Sequence, residues 1–224
     1  GSEMCIRDRL GCHDGIPLLD LKGILAEERI QKLIDIIVSR GGYVKDLHGQ
    51  KNIYYQVNAT YFSALGEDER KMLLARALQI FMPGKPQIWY LDLFAGSNDY
   101  EAVKRAGAGG HKEINRTNLS KKDIESGLEK EVVKKQLEML KFRKEFPAFG
   151  FDAEMTIRTK PAAQISAQAE NALHFAELPA DQMYNRIYIT WKKDGYLARL
   201  SADLKAHTYR IQALDPVSYT HLRA

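Results

Sequence analysis

The chain has 224 residues, 45% of them hydrophobic and 28% charged, which is enough apolar content for one large domain or two small ones. Its net charge of +4 comes from 33 basic and 29 acidic residues interleaved along the sequence, a mild excess without the clustered Lys, Arg and aromatic residues of a nucleic-acid-binding surface. The 2 cysteines, Cys5 and Cys12, have no His or Cys partner at metal spacing, so neither a zinc site nor a disulfide framework is indicated and a reducing, cytoplasmic setting fits. No apolar run approaches the ~20 residues of a membrane span, and the N-terminal residues lack the charged-then-apolar layout of a signal peptide.

In chain order, residues 1–10 carry Arg7-Asp8-Arg9 where a strand leading into a buried site should be apolar, and they read as a non-native leader that contributes no such strand. Next comes Cys12-His13-Asp14-Gly15-Ile16, an imidazole and a carboxylate side by side before a glycine that permits a sharp turn. Ile30, Leu33, Ile34, Ile37 and Val38 follow helical spacing within Leu25 to Arg40, and Gly41-Gly42 is a stop signal. Tyr43 to Asn52 is polar and reads as a loop. Glu67 to Phe81 reads as a helix ended by Pro83-Gly84, and Pro86 to Leu91 as a short buried strand, the helix-loop-strand order of an α/β array. Gly96 to Gly110 is glycine-rich and irregular, and Gly107 to Lys112 matches no phosphate-binding fingerprint and reads as a linker. Leu128 to Phe146 is predicted to form one long helix burying Val132, Val133, Leu137 and Leu140.

After Pro147 the apolar period changes from 3.6 to 2. Met155-Ile157-Thr159, Ile187-Ile189-Trp191, Leu200-Ala202-Leu204 and Tyr209-Ile211-Ala213 alternate, and Lys193-Asp194-Gly195 predicts a hairpin turn. The domain reading is a leader at 1–10, an α/β part at 11–150, an antiparallel β-domain at 151–214 and a non-native tail at 215–224.

Four blocks in this order, His13-Asp14-Gly15, Tyr55-Gln56-Val57-Asn58-Ala59-Thr60-Tyr61, Pro86-Gln87-Ile88-Trp89-Tyr90 and His111-Lys112-Glu113-Ile114-Asn115-Arg116, make the chain resemble the C-terminal half of the sucrose phosphorylases, in the alpha-amylase superfamily of glycoside hydrolases. The resemblance implies an α/β fold in which residues 11–150 are the C-terminal part of a (β/α)8 TIM barrel, followed by a small antiparallel β-domain. It implies a retaining transfer of glucose from sucrose to phosphate, giving glucose 1-phosphate and fructose, with no cofactor and no metal. Nucleic acid and membrane are not among the implied partners. By the same resemblance Asp14 is the carboxylate that supports the oxocarbenium-like transition state, and His13 binds sugar hydroxyls. Arg116 forks onto glucose hydroxyls and a carboxylate, while Tyr55 and Gln56 belong to an acceptor-side loop. Ile53 or Asn52 stands where the family often has an Asp before that Tyr, which leaves the fructose contacts open.

The nucleophile and acid/base carboxylates of such a transfer, ~5–5.5 Å apart, lie in motifs that precede His-Asp in the family and do not occur here. The expectation is therefore a piece of an active parent that is itself inert. The alternatives are a related glucosylglycerate or sucrose 6-phosphate phosphorylase, or a non-catalytic carbohydrate-binding module. The last would need a planar patch of exposed aromatics within residues 153–213.

Overall fold

The computed structural model describes residues 7–46, 54–159, 185–216 and 219–222. The chain divides into two units, the first made of Gly1–Gln79 and Pro83–Glu138, the second of Ile80–Met82 and Met139–Ala224.

The first unit opens on a strand that the sequence reading excluded. Arg7–Asp8 (β1) pairs in parallel with Lys85–Pro86 (β5), and the backbone is held further by Gln87 N–H donating to Asp8 O at 2.9 Å and Gln79 Nε2 donating to the same oxygen at 3.1 Å. Backbone pairing, which is indifferent to side-chain polarity, outweighs the charged composition here. A three-stranded antiparallel sheet follows, in the order Ile16–Pro17 (β2), Tyr54–Asn58 (β4), Tyr43–Asp46 (β3). The expected loop at Tyr43 to Asn52 is thus corrected for residues 43–46, whose partners on β4 are fixed by the register Tyr43–Asn58 and Val44–Val57. Residues 47–53 lie outside the described residues. On β4, Val57 faces a core of Leu18, Ile30, Ile34, Ile37, Ala59 and Ala64.

Three of these core residues come from Glu27–Ser39 (α1), the predicted amphipathic helix. Its buried stripe is Ile30, Ile34 and Ile37, while Leu33 and Val38, expected on the same face, are exposed. The helix stops as predicted at Gly41 (φ 88), with Gly41 N–H donating to Val38 O and Gly42 N–H to Ile37 O.

After the single turn Tyr61–Ala64 (α2), Glu69–Phe81 (α3) is the expected second helix. The strand expected over Pro86 to Leu91 is replaced after Pro86 by one helical turn, Tyr90–Leu93 (α4). The helix expected from Leu128 to Phe146 is Glu131–Glu145 (α7), and Lys121–Leu128 (α6), which the sequence reading did not assign, precedes it. Leu137 is exposed, and the buried stripe of α7 is Val132, Val133, Gln136 and Met139. A glutamine belongs in that stripe because its amide is fully used: Oε1 accepts from Arg76 Nε at 2.8 Å and Nε2 donates to Leu93 O at 2.9 Å. Arg76 is 1% exposed, and its second partner is the Gln79 amide oxygen.

In the second unit, Glu154–Arg158 (β6), Arg186–Lys193 (β7), Tyr196–Asp203 (β8), Thr208–Leu214 (β9) and Tyr219–Leu222 (β10) form an antiparallel meander in sequence order. The predicted hairpin sits at Asp194 (φ 48) and Gly195 (φ 82), the two left-handed residues of a type I′ turn. Cross-strand rows follow the period-2 reading, with Ile189, Leu200 and Ile211 in one row and Thr190, Arg199 and Gln212 in the next. Phe81, Phe142 and Phe149 pack against one another, Phe149 also meets Trp191, whose indole N–H donates to Phe81 O at 2.9 Å, and the Arg143 guanidinium lies 4.4 Å from the Phe149 ring. Tyr188 and Trp191 are both buried, and among the described residues 153–213 no aromatic side chain is exposed.

Two outcomes follow for stability. Gln136→Leu leaves the buried Arg76 short of its acceptor and is expected to cost about 2–4 kcal/mol in urea unfolding. Asp92, 1% exposed beside Gly11, is pushed up to about 6 by burial, opposed by the positive charge of Arg76 and the Tyr61 N–H. Its folded pKa is raised, so its contribution is fully present below about pH 4 and lost as pH rises to 6, a fall of about 2–3 kcal/mol. Asp92→Asn should flatten that fall, which unfolding measured at half-unit intervals from pH 4 to 7 will show.

Candidate functional site

Three consecutive residues, Cys12, His13 and Asp14, occupy a tight turn closed by Gly15 N–H donating to Cys12 O at 3.2 Å. Gly15 has φ 112, and a Cβ there would lie 2.5 Å from Val57 O, so only glycine lets the turn rest against β4. Every carbonyl of the turn is claimed by a side chain from elsewhere in the first unit. Asn115 Nδ2 donates to Cys12 O at 2.5 Å, Arg116 Nε to His13 O at 3.1 Å, and Asn58 Nδ2 to Asp14 O at 2.6 Å, with Gln56 Nε2 donating to the same oxygen. Gln56 and Asn58 are two apart on β4 and so share a face, opposite the core-facing Val57.

The Asp14 carboxylate is the electrostatic centre. Lys112 Nζ donates to Oδ1 at 2.7 Å and Arg116 Nη2 to the same oxygen at 3.3 Å, while His13 Nε2 lies 3.1 Å from Oδ2. The Lys112 hydrogen bond, reinforced by the charges of Lys112, His13 and Arg116, holds the carboxyl below its ordinary value against a smaller opposing effect of burial. A partly exposed carboxylate with three cationic or potentially cationic neighbours is thus kept as an anion.

The neighbours are positioned by the irregular segment after Tyr100–Ala106 (α5). Gly110–Asn115 is a 3-10 helix, tied back to Asp99 by its N–H donating to Ile114 O at 3.0 Å and by Thr117 Oγ1 donating to its carboxylate at 3.1 Å. Arg116 also meets Glu113 Oε1 at 3.1 Å and lines an open pocket of about 650 Å³ with Asp99, Arg105, Thr117 and Asn118. Trp89 donates its indole N–H to Asn115 Oδ1 at 3.2 Å, and its ring centroid is 5.9 Å from that of His13.

Of the residues singled out from sequence, His13, Asp14, Gln56 and Arg116 converge within this cluster. Gln56 is 4% exposed and donates its amide N–H to the Asp14 carbonyl. Tyr55 lies on β4, and its side chain is outside the described residues. Lys112, Asn58, Asn115 and Trp89 were passed over. Lys112 fell in the stretch read as a linker, and that expectation is corrected by its 2.7 Å contact with Asp14 across 98 residues of sequence.

No family model matches the chain. It is 49% identical over 203 residues to the sucrose 6(F)-phosphate phosphorylase of Ilumatobacter coccineus, covering 87% of this chain and 38% of that one. It is 31% identical over 211 residues to the sucrose phosphorylase of Streptococcus mutans, covering 92% of this chain and 39% of the relative. Among solved structures, the crystal structure of sucrose 6F-phosphate phosphorylase from Thermoanaerobacter thermosaccharolyticum superimposes with a TM-score of 0.80 at 34% identity, over 97% of this chain and 40% of that one. The chain therefore spans about two fifths of the length of these relatives. Along most of its own length the chain is a homologue of the sucrose and sucrose 6(F)-phosphate phosphorylases.

Proposed function

We propose that the chain carries the glucosyl-binding side of a retaining phosphorylase, which breaks the bond between glucose and a fructosyl leaving group and passes the glucosyl unit, through a covalent enzyme intermediate, to inorganic phosphate. The observation that carries this reading is the ionised Asp14 carboxylate on a turn pinned at each carbonyl. In the glucosyl transfer, positive charge develops on the sugar only in the transition state. A fixed anion ~4 Å away at an effective dielectric of ~20 stabilises it by about 4 kcal/mol, roughly a thousandfold in rate. In this role His13 and Arg116 bind sugar hydroxyls beside Asp14, and Tyr55 lies on the acceptor side. Gln56 holds the Asp14 backbone in place. The first unit is read as closing segments of a (β/α)8 barrel, a reading that the parallel pairing of β1 with β5 supports.

A second reading concerns the leaving group. The 49% identity to a sucrose 6(F)-phosphate phosphorylase, against 31% to a sucrose phosphorylase, favours a donor whose fructose carries a 6-phosphate. The products are then glucose 1-phosphate and fructose 6-phosphate.

The nucleophile and acid/base pair are assigned to segments outside this chain. The purified 224-residue protein is accordingly expected to form no glucose 1-phosphate from either donor; turnover by it would refute that assignment. A hybrid carrying residues 11–216 in place of the matching segment of the Ilumatobacter coccineus enzyme should phosphorolyse sucrose 6-phosphate in preference to sucrose, and a preference for sucrose would return the reading to the unphosphorylated donor. In the hybrid, Asp14→Asn should lower kcat about a thousandfold. Arg116→Lys should lose less, since the charge survives and the forked hydrogen bonds do not. Gln56→Ala should lower kcat with KM for phosphate unchanged, as expected of a residue that acts through Asp14. A kcat for Asp14→Asn within tenfold of the parent would sink the role given to that carboxylate.

A further inference from the structure

Arg116 divides its guanidinium among three groups, with Nε on His13 O at 3.1 Å, Nη2 on Asp14 Oδ1 at 3.3 Å and Nη1 on Glu113 Oε1 at 3.1 Å. A planar fork engaged in this way tolerates little displacement of its own backbone. Arg116 stands just past the end of the Gly110–Asn115 3-10 helix, where carbonyls have no partner within the helix. The flanking carbonyls nonetheless all have donors. Glu113 O accepts from Arg116 N–H at 3.2 Å and Ile114 O from Asp99 N–H at 3.0 Å. Asn115 O accepts from the Trp89 indole N–H at 3.3 Å, and Thr117 O from the Tyr90 hydroxyl at 2.6 Å. We propose that Trp89 and Tyr90 are positioning residues that hold Arg116 from both sides, and that Trp89 also orients the Asn115 amide that pins the turn at Cys12. The inference rests on the roles given to Arg116 and Asp14 in the phosphorylase reading.

The polar atoms of the two aromatics carry this role. An indole N–H donates and cannot accept, so the 3.2 Å contact with Trp89 selects the oxygen of the Asn115 amide on that side. Asn115 Nδ2 is thereby turned to Cys12 O, which it meets at 2.5 Å. Asn115 is 2% exposed, so water does not replace a lost indole, and an amide turned over would set its oxygen against the Cys12 carbonyl. Burial raises the Tyr90 hydroxyl above its ordinary pKa, which keeps it a donor. The two rings are fixed by their own contact, with centroids 4.4 Å apart, and by the fully buried Leu91 that follows them. Trp89 also lies against the His13 ring, so a single side chain meets both segments of the site.

Amide hydrogen exchange in the full 224-residue chain, free of sugar and phosphate, tests the holding itself. Trp89→Phe should speed exchange at Gly15 N–H and Arg116 N–H by about three- to tenfold, the range that one hydrogen bond supplies. Tyr90→Phe should speed Arg116 N–H and spare Gly15 N–H, because its hydroxyl reaches Thr117 and not the turn. Gly41 and Gly42 N–H, at the end of α1, are the controls and should keep their rates. Equal acceleration at the controls in both variants, or none at Arg116 in either, overturns the proposal. If Trp89→Phe alone loses stability throughout, Tyr90→Phe decides.

The hybrid enzyme supplies the kinetic arm. Trp89→Phe should lower kcat for sucrose 6-phosphate by about tenfold with KM for phosphate unchanged. In an Asn115→Ala background the same substitution should add far less, a coupling that a packing role of the ring would not give. If Asp14→Asn keeps kcat within about tenfold of the parent, the phosphorylase reading fails, and the exchange pattern still decides whether the two aromatics hold Arg116. If Asp14→Asn is crippled while Trp89→Phe and Tyr90→Phe keep full turnover, the positioning role falls and the reading stands.

Discussion

The site depends on one constraint: the backbone of residues 12–14 has no carbonyl left free to move. Asn115, Arg116, Asn58 and Gln56 each donate a side-chain N–H to it, from 42 to 103 residues away in sequence. Each such bond contributes about 0.5–1.5 kcal/mol net, and their joint effect is orientation more than stability. With three consecutive carbonyls held, the side chains of the turn have only their own torsions to explore. The orientation of the Asp14 carboxylate is therefore set by the fold itself, which is the form of preorganisation that the electrostatic role proposed above needs.

Two aspartates of the first unit show how the fold decides a carboxylate's work. Asp92 is buried, and although Arg76 lowers its pKa, desolvation prevails and raises it to about 6. Asp14 is partly exposed, so desolvation is the lesser effect and the Lys112 hydrogen bond prevails, lowering its pKa. Asp92 serves the scaffold, accepting from Tyr61 N–H at 3.3 Å and packing against Gly11 just before the turn. Asp14 keeps its charge and its access to solvent. The difference lies in which neighbours each meets, since the residue type is the same.

What was legible in the sequence was whatever depended on local period. The stripe Ile30, Ile34 and Ile37 and the alternation along β7 to β9 are written in adjacent residues, and both units show them. Elements whose stability comes from distant partners were not. Tyr43-Val44-Lys45-Asp46 has a single aliphatic residue and becomes a strand because β4 supplies its hydrogen bonds. Gln136 reads as solvent-facing until Arg76 and the carbonyl of Leu93 are placed beside it. Resemblance to a known family carried Asp14, His13 and Arg116 as candidates, but the pairing of Lys112 with Asp14 joins a glycine-rich stretch to a turn 98 residues earlier, and no periodicity marks it.

All the groups that set the charge of Asp14 come from residues 12–116 of the first unit. The second unit contributes an antiparallel sheet and an aromatic cluster. Orientation and ionisation of Asp14 are thus complete within one unit. What a glycosyl transfer further requires, a second pair of carboxylates ~5–5.5 Å apart, is a separate requirement that the pinned turn neither supplies nor hinders. A segment that brought such a pair to the exposed edge of Asp14 would meet a carboxylate already charged and already aimed.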